Sequence, residues 1–472
     1  MTVPKWAGAG TAHMSSTLGQ SGSHPWMVRP ISVRSWLVYP VLIVIFALMG
    51  PYSLHPAAAE AGGGQGVAAA SAVTAEGVQS GSAVRRMALL GLAAVAALSL
   101  SRARRSRGYA LHEIRAGEAV AGTTRRRGIL PFLLLIYVAL AGGSLLWAAD
   151  PGITGRRAVV FLIIVFAAFC FAQAWTLRDL LYFSLCANAT SLILGLGGAI
   201  ARGQFQPFAP GYRFSGFANP NLHGIEAACL IIACAAALRL GGRRGPLYGL
   251  LLYGAAILLL SRSRTAVAAL VLAAAFCGAL AIRRSRLVAV ALVVAGIAFA
   301  AVVFAPDILT GAHHALLLGR SAAAEDPTTL SGRTLLWNDL LDYAGDHPWL
   351  GYGFDSFWTP DHIAEISVKR GWVITQAHSG YLEALLATGI TGLTILIATL
   401  FSGLRAAIRR FRATHATVVL FAVAMFVWYM VNMLLEALPE SHVSTFVIMI
   451  LLAHFALRSA APDDVGGLHA SG

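Results

Sequence analysis

Charged residues are scarce in this chain: Asp, Glu, Lys and Arg together make up only 12% of its 472 residues. Hydrophobic residues make up 57%, and the mean hydropathy is +0.71. Because soluble globular domains carry about 25% charged residues, this composition excludes that class. It indicates a polytopic membrane protein.

Cysteine is also rare, and all of the cysteines fall within apolar runs. They are Cys170, Cys186, Cys229, Cys234 and Cys277. Cysteines in such runs behave as small hydrophobic residues, so they indicate neither a disulfide framework nor a zinc site. The chain lacks an Asp-x-Asp motif, and its adjacent pair Asp463-Asp464 lies in the C-terminal tail. We therefore expect no metal and no cofactor.

Acidic residues are fewer than basic ones, 21 against 35, which gives a net charge of +14. This excess does not indicate nucleic acid as a partner, because the arginines cluster in short segments between apolar runs. Clusters follow the second, sixth, eighth and tenth runs, which places them all on one side of a membrane. By the positive-inside rule that side is cytoplasmic, together with both termini.

About twelve apolar runs approach the roughly 20 residues that a transmembrane helix needs. They lie near 36–54, 87–101, 128–148, 158–176, 181–200, 222–240, 247–261, 265–282, 287–305, 380–402, 416–434 and 442–457. The predicted fold is therefore all-α, a polytopic membrane protein with about 12 transmembrane helices. A large loop between the ninth and tenth runs is predicted to face outward.

Most of that loop is a polar segment, residues 306–376, which hydrophobic packing does not explain and chemistry at a membrane surface does. In this polar segment Arg333 opens a predicted short helix, with Ser331 as its N-cap, and His347-Pro348 ends it. The apolar face of the helix is formed by Leu336, Trp337, Leu340, Leu341 and Ala344. We expect it to lie on the membrane with Arg333 at headgroup height, although an amphipathic surface helix with an incidental arginine has the same pattern.

Several other arginines lie on the predicted outer side, against the positive-inside bias, and the local sequence singles out two of them. Arg213 lies in a loop rich in Gly, Pro and Asn that opens into the sixth run, where backbone N–H groups and a guanidinium suit a phosphate. A plain turn with an N-cap is the alternative reading of this loop. Arg264 lies in the tight turn Ser261–Thr265 and is a secondary candidate, since an arginine bound to loop carbonyls fits the same pattern.

His378 lies between the polar segment and the tenth run, where it can bend into an outward-facing cavity. A histidine with an ordinary pKa suits a general base for a sugar hydroxyl at neutral pH, but a lone histidine at a helix start is often only a cap. Glu436 and Glu440 flank the outer end of the eleventh run. We expect them to contact an acceptor or to pair with one of the arginines.

In their order along the chain, these motifs resemble the bacterial O-antigen ligase and Wzy-type polysaccharide polymerase superfamily, especially its exopolysaccharide polymerase branch. The similar features are Arg213-Phe214-Ser215-Gly216 with Asn219-Pro220-Asn221, Ser261 to Thr265, Arg333 with Trp337, His347 to Gly353, and His378 to Gly389. The likeness covers about residues 128–457, including an outer loop over 306–379. It does not include the N-terminal region 1–127 or the C-terminal tail 458–472. The N-terminal region contains two apolar runs, an Ala/Gly/Ser-rich outer loop and a basic cytoplasmic loop.

The resemblance implies a metal-independent, inverting membrane glycosyltransferase, similar to the GT-C type, in the bacterial inner membrane with its site facing the periplasm. It would move a glycan from an undecaprenyl-diphosphate carrier to a glycan or lipid acceptor. The lipid bilayer and other polysaccharide assembly proteins would be its further partners. His378 would orient or deprotonate the acceptor hydroxyl, and Arg213 and Arg333 would bind the diphosphate with help from Arg264. Further acceptor or loop contacts would be Asn221, Trp337, Tyr381 and Glu436. Many members have Asn after the histidine, whereas Ser379 follows it here.

Polymerisation of an exopolysaccharide or O-antigen is the expected reaction, and ligation of O-antigen onto lipid A-core or another acceptor is the alternative. A transporter or flippase would bind the same lipid-linked glycan without making a bond, but it would more often show internal repeats, and none is evident. A purely structural subunit of an export complex would leave the outer arginines unexplained.

Overall fold

The computed structural model describes residues 33–49, 82–114, 128–217, 219–281, 333–438 and 442–458, and every regular element within them is helical. The α-helices are α1 Val33–Met49, α2 Ala83–Ile114, α3 Leu130–Gly143, α4 Pro151–Ala174, α5 Leu177–Ala201, α6 Pro220–Arg239, α7 Arg244–Ser261, α8 Arg264–Ala281, α9 Arg333–Asp346, α10 Pro360–Arg370, α11 Gly380–Thr414, α12 Thr417–Asn432 and α13 Val443–Arg458. A single 3₁₀ turn, Ser144–Leu146, extends α3.

The apolar runs become helices wherever the structure describes them, which confirms an all-α polytopic membrane protein. Among the described residues, seven helices are long and apolar enough to cross a membrane, and four shorter helices are also apolar. The run 287–305 lies outside the described residues, so the total of twelve spans stays a prediction. Two helices continue past their predicted ends, α2 through its arginines and α11 to Thr414, because arginine and alanine favour helix.

Several helices begin where the sequence supplies a cap. Asp150 accepts a hydrogen bond from the Ile153 amide at 2.9 Å and starts α4, with a proline in its first turn. Asn219 does the same for α6 through the Leu222 amide at 2.8 Å, again followed directly by a proline. These short polar side chains satisfy amides that have no partner inside the helix, and proline loses nothing there.

Helix α6 lies at the centre of the bundle and packs against α5, α7, α8 and α12. Its buried face is built mainly of small residues, including Ala227, Ala228, Cys229, Ala233, Cys234 and Ala237. Small side chains allow helix backbones to approach closely, which is how helices associate in a membrane. The five cysteines are free thiols in helices, as the sequence indicates.

A second hydrophobic core joins the polar segment to the beginning of α11. Leu336 and Leu340 of α9 are fully buried there against Phe357, Ile363 and other side chains of the polar segment. The expected surface helix is therefore wrong in two respects. Its apolar face packs inside the protein rather than on the membrane, and Leu341 is 51% exposed. The helix does end directly before His347, as predicted, while Ser331 lies outside the described residues.

A kink in α11 docks the polar segment onto the bundle. Gly389 has φ +64° and ψ −168°, a backbone conformation that is essentially restricted to glycine. Around the kink, backbone hydrogen bonds from the loop replace those of the helix: the Ile390 amide donates to the Pro348 carbonyl at 2.8 Å, and the Tyr352 amide donates to the Leu386 carbonyl at 2.8 Å. The polar segment is thus held at one end of the bundle.

Candidate active site

The loop that carries Arg213 is fastened to the turn between α7 and α8. Phe214 is fully buried and its amide donates to the Leu260 carbonyl at 2.9 Å, while Arg213 Nε donates to the Ser261 carbonyl at 3.2 Å. Arg202 holds the other side of this loop through the Gly216 carbonyl and lies 4.8 Å from the centre of the Phe217 ring. The guanidinium of Arg213 is therefore presented by a braced loop.

A chain of hydrogen bonds leads from Arg213 to a buried carboxylate. Arg213 Nη2 donates to Asn221 Oδ1 at 2.8 Å, and Asn221 Nδ2 donates to Glu436 Oε1 at 2.8 Å. Asn221 lies in the first turn of α6, and Glu436 lies just beyond the end of α12, 215 residues later. The predicted contact residues Asn221 and Glu436 are thus part of one network with Arg213.

Arg333 reaches the same carboxylate from the opposite direction. Its Nη2 lies 2.9 Å from Glu436 Oε1, and its Nη1 donates to the Leu435 carbonyl. Only 15% of the Arg333 side chain and 7% of the Glu436 side chain are exposed, so this ion pair is shielded from solvent. Of the two outcomes expected for Glu436, pairing with an arginine is the one observed, and Glu440 lies outside the described residues.

The network holds two guanidinium groups and one carboxylate, so its own charge is net positive. Burial raises the pKa of the Glu436 carboxyl above its ordinary value, and the nearby Arg333 and Arg213 and the Asn221 hydrogen bond oppose that rise. An anion placed here would meet fixed donors in a poorly solvated site, where electrostatic attraction is stronger than in water.

His378 is held from both sides by backbone contacts. Trp337 Nε1 donates to the Ala377 carbonyl at 2.8 Å, so α9 positions the residue before the histidine as well as Arg333. On the other side, the Gly380 amide donates to the Met433 carbonyl at 2.8 Å and to the Glu436 carbonyl at 3.2 Å. His378 itself has φ +53°, an uncommon conformation for a residue other than glycine, which such contacts must maintain.

The imidazole of His378 stays neutral at physiological pH. Burial, together with the nearby positive charge of Arg333, lowers its pKa from 6.5 to about 3. Its Nδ1 is buried and makes no hydrogen bond with any residue that the structure describes. A neutral ring in this position is suited to hold a hydroxyl group next to the arginines.

Ser379, which replaces the expected asparagine, has a structural role. Its hydroxyl caps α11 through the Leu382 amide at 3.4 Å and lies 3.3 Å from the Met433 carbonyl. Tyr381 donates its hydroxyl to the Met430 carbonyl at 3.0 Å, so it bonds to α12 rather than to the arginine network. Arg264 is half-buried at the first residue of α8, next to Ser263.

Sequence reasoning missed two glutamates, the half-buried Glu383 and the buried Glu226. Glu383 accepts hydrogen bonds from the Ala377 amide and from Trp358 Nε1, the latter at 2.9 Å, and so supports the segment before His378. Glu226 in α6 contacts His223 Nδ1 at 2.9 Å and accepts from the Ser191 hydroxyl at 2.8 Å. An acidic residue inside an apolar run was the signal for both, because such residues are costly in a membrane.

Three other basic residues of the predicted outer side are bound to acids within the protein. Arg157 lies 2.6 Å from Asp355, and both Lys369 and Arg370 contact Asp339. These pairs brace the polar segment, whereas Arg213 and Arg333 converge on Glu436. Across the described ranges, no group of three or more His, Cys, Asp or Glu residues is arranged to hold a metal ion.

Comparisons with known proteins agree on one superfamily. A family model described as O-antigen ligase matches residues 249–397, a region that includes Arg264, Arg333 and His378 but not Arg213 or Glu436. The exopolysaccharide production protein ExoQ of Rhizobium meliloti is 26% identical over 335 residues, which cover 67% of this chain and 74% of that protein. An O-antigen ligase of Pseudomonas aeruginosa is 30% identical over 153 residues, or 32% of each chain.

Proposed function

Because this chain belongs to the O-antigen ligase and Wzy-type polymerase superfamily, we propose that it transfers a glycan from an undecaprenyl-diphosphate carrier to an acceptor sugar hydroxyl. The observation that carries this proposal is the convergence of Arg213 and Arg333 on Glu436, beside His378. These residues come from three distant parts of the chain. Packing alone does not account for two half-buried arginines and a buried carboxylate that meet at one end of a membrane bundle.

In this proposal the arginines bind the diphosphate of the donor. Guanidinium groups form paired, charge-assisted hydrogen bonds with phosphate oxygens, and they stabilise the negative charge that develops on the leaving group. Arg264, at the start of α8, assists from the turn that also anchors Arg213. Cationic side chains take the part that a metal ion plays in other glycosyltransferases, so the reaction is metal-independent.

His378 binds the acceptor hydroxyl and orients it or takes its proton. The hydroxyl attacks the anomeric carbon from the face opposite to the diphosphate, which inverts the configuration at that carbon. Holding the two reactants in line is itself a large part of the rate enhancement. The braced backbone around His378 supports such a positioning role.

Polymerisation is the preferred reaction, because the similarity to an exopolysaccharide production protein extends over 335 residues and that to an O-antigen ligase over 153. Ligation onto lipid A-core or another acceptor is the second candidate. In this proposal the site faces the periplasm, because the arginine clusters of the other loops favour the cytoplasmic side of the bacterial inner membrane. A flippase would need the same diphosphate contacts but no acceptor site beside them.

The test is reconstitution of the purified protein in liposomes with undecaprenyl-diphosphate oligosaccharide extracted from the source cells. A polymerase lengthens the glycan on the carrier, whereas a ligase releases the carrier and loads an added acceptor. Movement of an unchanged donor across the bilayer, with no new glycosidic bond, would identify a flippase and contradict the proposal. Gel electrophoresis and mass spectrometry of the products separate these outcomes.

A further inference from the structure

Glu436 occupies the position that the proposed function assigns to a phosphate group. Its Oε1 accepts from Arg333 Nη2 at 2.9 Å and from Asn221 Nδ2 at 2.8 Å, and Asn221 is itself held by Arg213. One carboxylate therefore keeps both arginine side chains in place while no donor is bound.

A diphosphate competes directly with this carboxylate. It carries more negative charge and more acceptor oxygens than Glu436, and it suits the flat fork of a guanidinium at least as well. When phosphate oxygens take the Arg333 N–H groups, the carboxylate loses its strongest partner and is repelled by the incoming charge. Glu436 must then turn away from the arginine.

The backbone of Glu436 lies next to the residues that follow His378. The Glu436 carbonyl already accepts from the Gly380 amide at 3.2 Å, and Gly380 is two residues from His378. Burial raises the pKa of the Glu436 carboxyl, so the group becomes a better base once the arginine no longer holds it. The low pKa of His378, about 3, makes its imidazole a weaker base than that carboxylate.

We propose that Glu436 is the proton acceptor of the transfer reaction and that binding of the donor diphosphate releases it from Arg333 for that role. This inference rests on the proposed function and assigns His378 to orientation of the acceptor hydroxyl. It couples the two substrates, because the base becomes available only when the donor is in place.

The chemical step balances within the site. The oxygen of the acceptor hydroxyl forms a bond to the anomeric carbon of the donor glycan, and its O–H bond breaks. The proton passes to a carboxylate oxygen of Glu436. The bond between the anomeric carbon and the diphosphate oxygen breaks, and undecaprenyl diphosphate leaves with the bonding electron pair, neutralised by Arg333 and Arg213.

The inference predicts that Glu436→Gln separates donor binding from turnover. Inorganic pyrophosphate, measured by titration calorimetry in detergent, should bind about tenfold more tightly, because a neutral amide competes less well for Arg333. The turnover number with the extracted donor should fall at least about a hundredfold, since the base is lost. A merely structural glutamate would give weaker pyrophosphate binding instead.

Asp339→Asn is the matched control. Asp339 is another buried carboxylate bound to arginine, on the helix that begins with Arg333, but it pairs with Arg370 and Lys369. With activity normalised to folded protein, this control should keep both the pyrophosphate affinity and the turnover number. A hundredfold loss in the control as well would assign the effect of Glu436→Gln to general disruption and overturn the inference.

A rescue experiment covers the case in which Glu436→Gln misfolds. In Glu436→Ala, added sodium formate can enter the space left by the carboxylate and accept the proton, so turnover should rise with formate concentration. Absence of rescue, with pyrophosphate still bound, would overturn the role of Glu436 as base. Arg333→Ala separates a failure of the proposed function from a failure of this inference. If Arg333→Ala still binds pyrophosphate as the wild type does, the proposed diphosphate site is wrong. If Arg333→Ala binds pyrophosphate more weakly but Glu436→Gln behaves like the wild type, only the role of Glu436 as base is wrong.

Discussion

At the scale of single residues, the site depends on side chains that touch backbone as much as on side chains that touch charges. Trp337 bonds to the carbonyl next to His378, and Glu383 bonds to the amide of the same residue, Ala377. The imidazole is therefore oriented by groups that do not themselves face a substrate. Such positioning residues should affect the rate more than the affinity for the donor.

Trp337→Phe tests this positioning role. It keeps an aromatic ring in the core of the polar segment but removes the hydrogen bond of 2.8 Å to the Ala377 carbonyl. The loss of about 1 kcal/mol should lower the turnover number about fivefold, with little change in the KM for the lipid-linked donor. Steady-state kinetics in liposomes measure both values. An increase in KM at constant turnover would assign Trp337 to donor binding.

His378 should also affect stability as the pH falls. Its pKa is about 3 in the folded protein and 6.5 in an unfolded chain, so between these values the unfolded chain binds the additional proton. Stability from this residue is present above pH 6.5 and is lost as the pH falls toward 3, by about 2 kcal/mol between pH 7 and pH 5.

Denaturant titrations of the wild type and His378→Gln at both pH values isolate this contribution. All other titrating groups are shared, so the loss of unfolding free energy between pH 7 and pH 5 should be smaller in the variant. Equal losses would mean that His378 is protonated normally in the folded protein.

At the scale of elements, the kink of α11 connects the fold to the site. Gly389 allows the loop over Pro348 to Tyr352 to bond to the broken helix, and a Cβ at this position would overlap the backbone of Trp349. The same helix begins at Gly380, directly after His378 and Ser379. A change at the kink therefore acts on the polar segment that carries Arg333 and Trp337.

Gly389→Ala should destabilise the protein by about 3 kcal/mol, because it combines a strained backbone with a steric overlap. Gly278→Ala in α8 is the matched control, since nothing lies within 4 Å of its added Cβ and its helical backbone suits alanine. Thermal unfolding in detergent should show a clear loss for the first variant and little change for the second. Similar melting temperatures for both would show that the kink is not required.

Most helices could be predicted from the sequence, because the length of an apolar run determines where a transmembrane helix forms. Helices α5 to α8 and α11 to α13 begin within about four residues of the predicted runs, while α4 begins earlier, at Pro151. The side-chain caps of α4, α5, α6 and α11 are readable in the chain. The kink at Gly389 and the burial of the α9 apolar face were not predicted, since both depend on contacts between segments far apart in sequence. Periodicity shows which face of a helix is apolar, but not whether lipid or protein covers it.

The site was predicted in part for the same reason. Arg213, Arg333, Asn221 and Glu436 were all named from the sequence, but their meeting at one carboxylate depends on how three separate loops fold together. The cluster around Glu226 stayed unnoticed, because a glutamate near the start of a capped helix has an ordinary explanation until its partners His223 and Ser191 are located.

At the scale of the whole molecule, the bundle brings distant loops to one end, and the polar segment covers them. Contacts across large sequence separations hold this arrangement, from Arg157 to Asp355 and from Asn221 to Glu436. The central claim is that this assembled end binds a diphosphate and an acceptor hydroxyl together. That claim concerns the molecule as a unit, because no single loop contains the site.

The most direct measurement compares glycan transfer by the wild type, Arg333→Ala and His378→Ala in liposomes, at equal amounts of folded protein. Transfer from the extracted undecaprenyl-diphosphate donor should be reduced at least about a hundredfold in both variants. Arg333→Ala should also lose pyrophosphate binding, whereas His378→Ala should keep it. Products of unchanged amount and length from both variants would contradict the account.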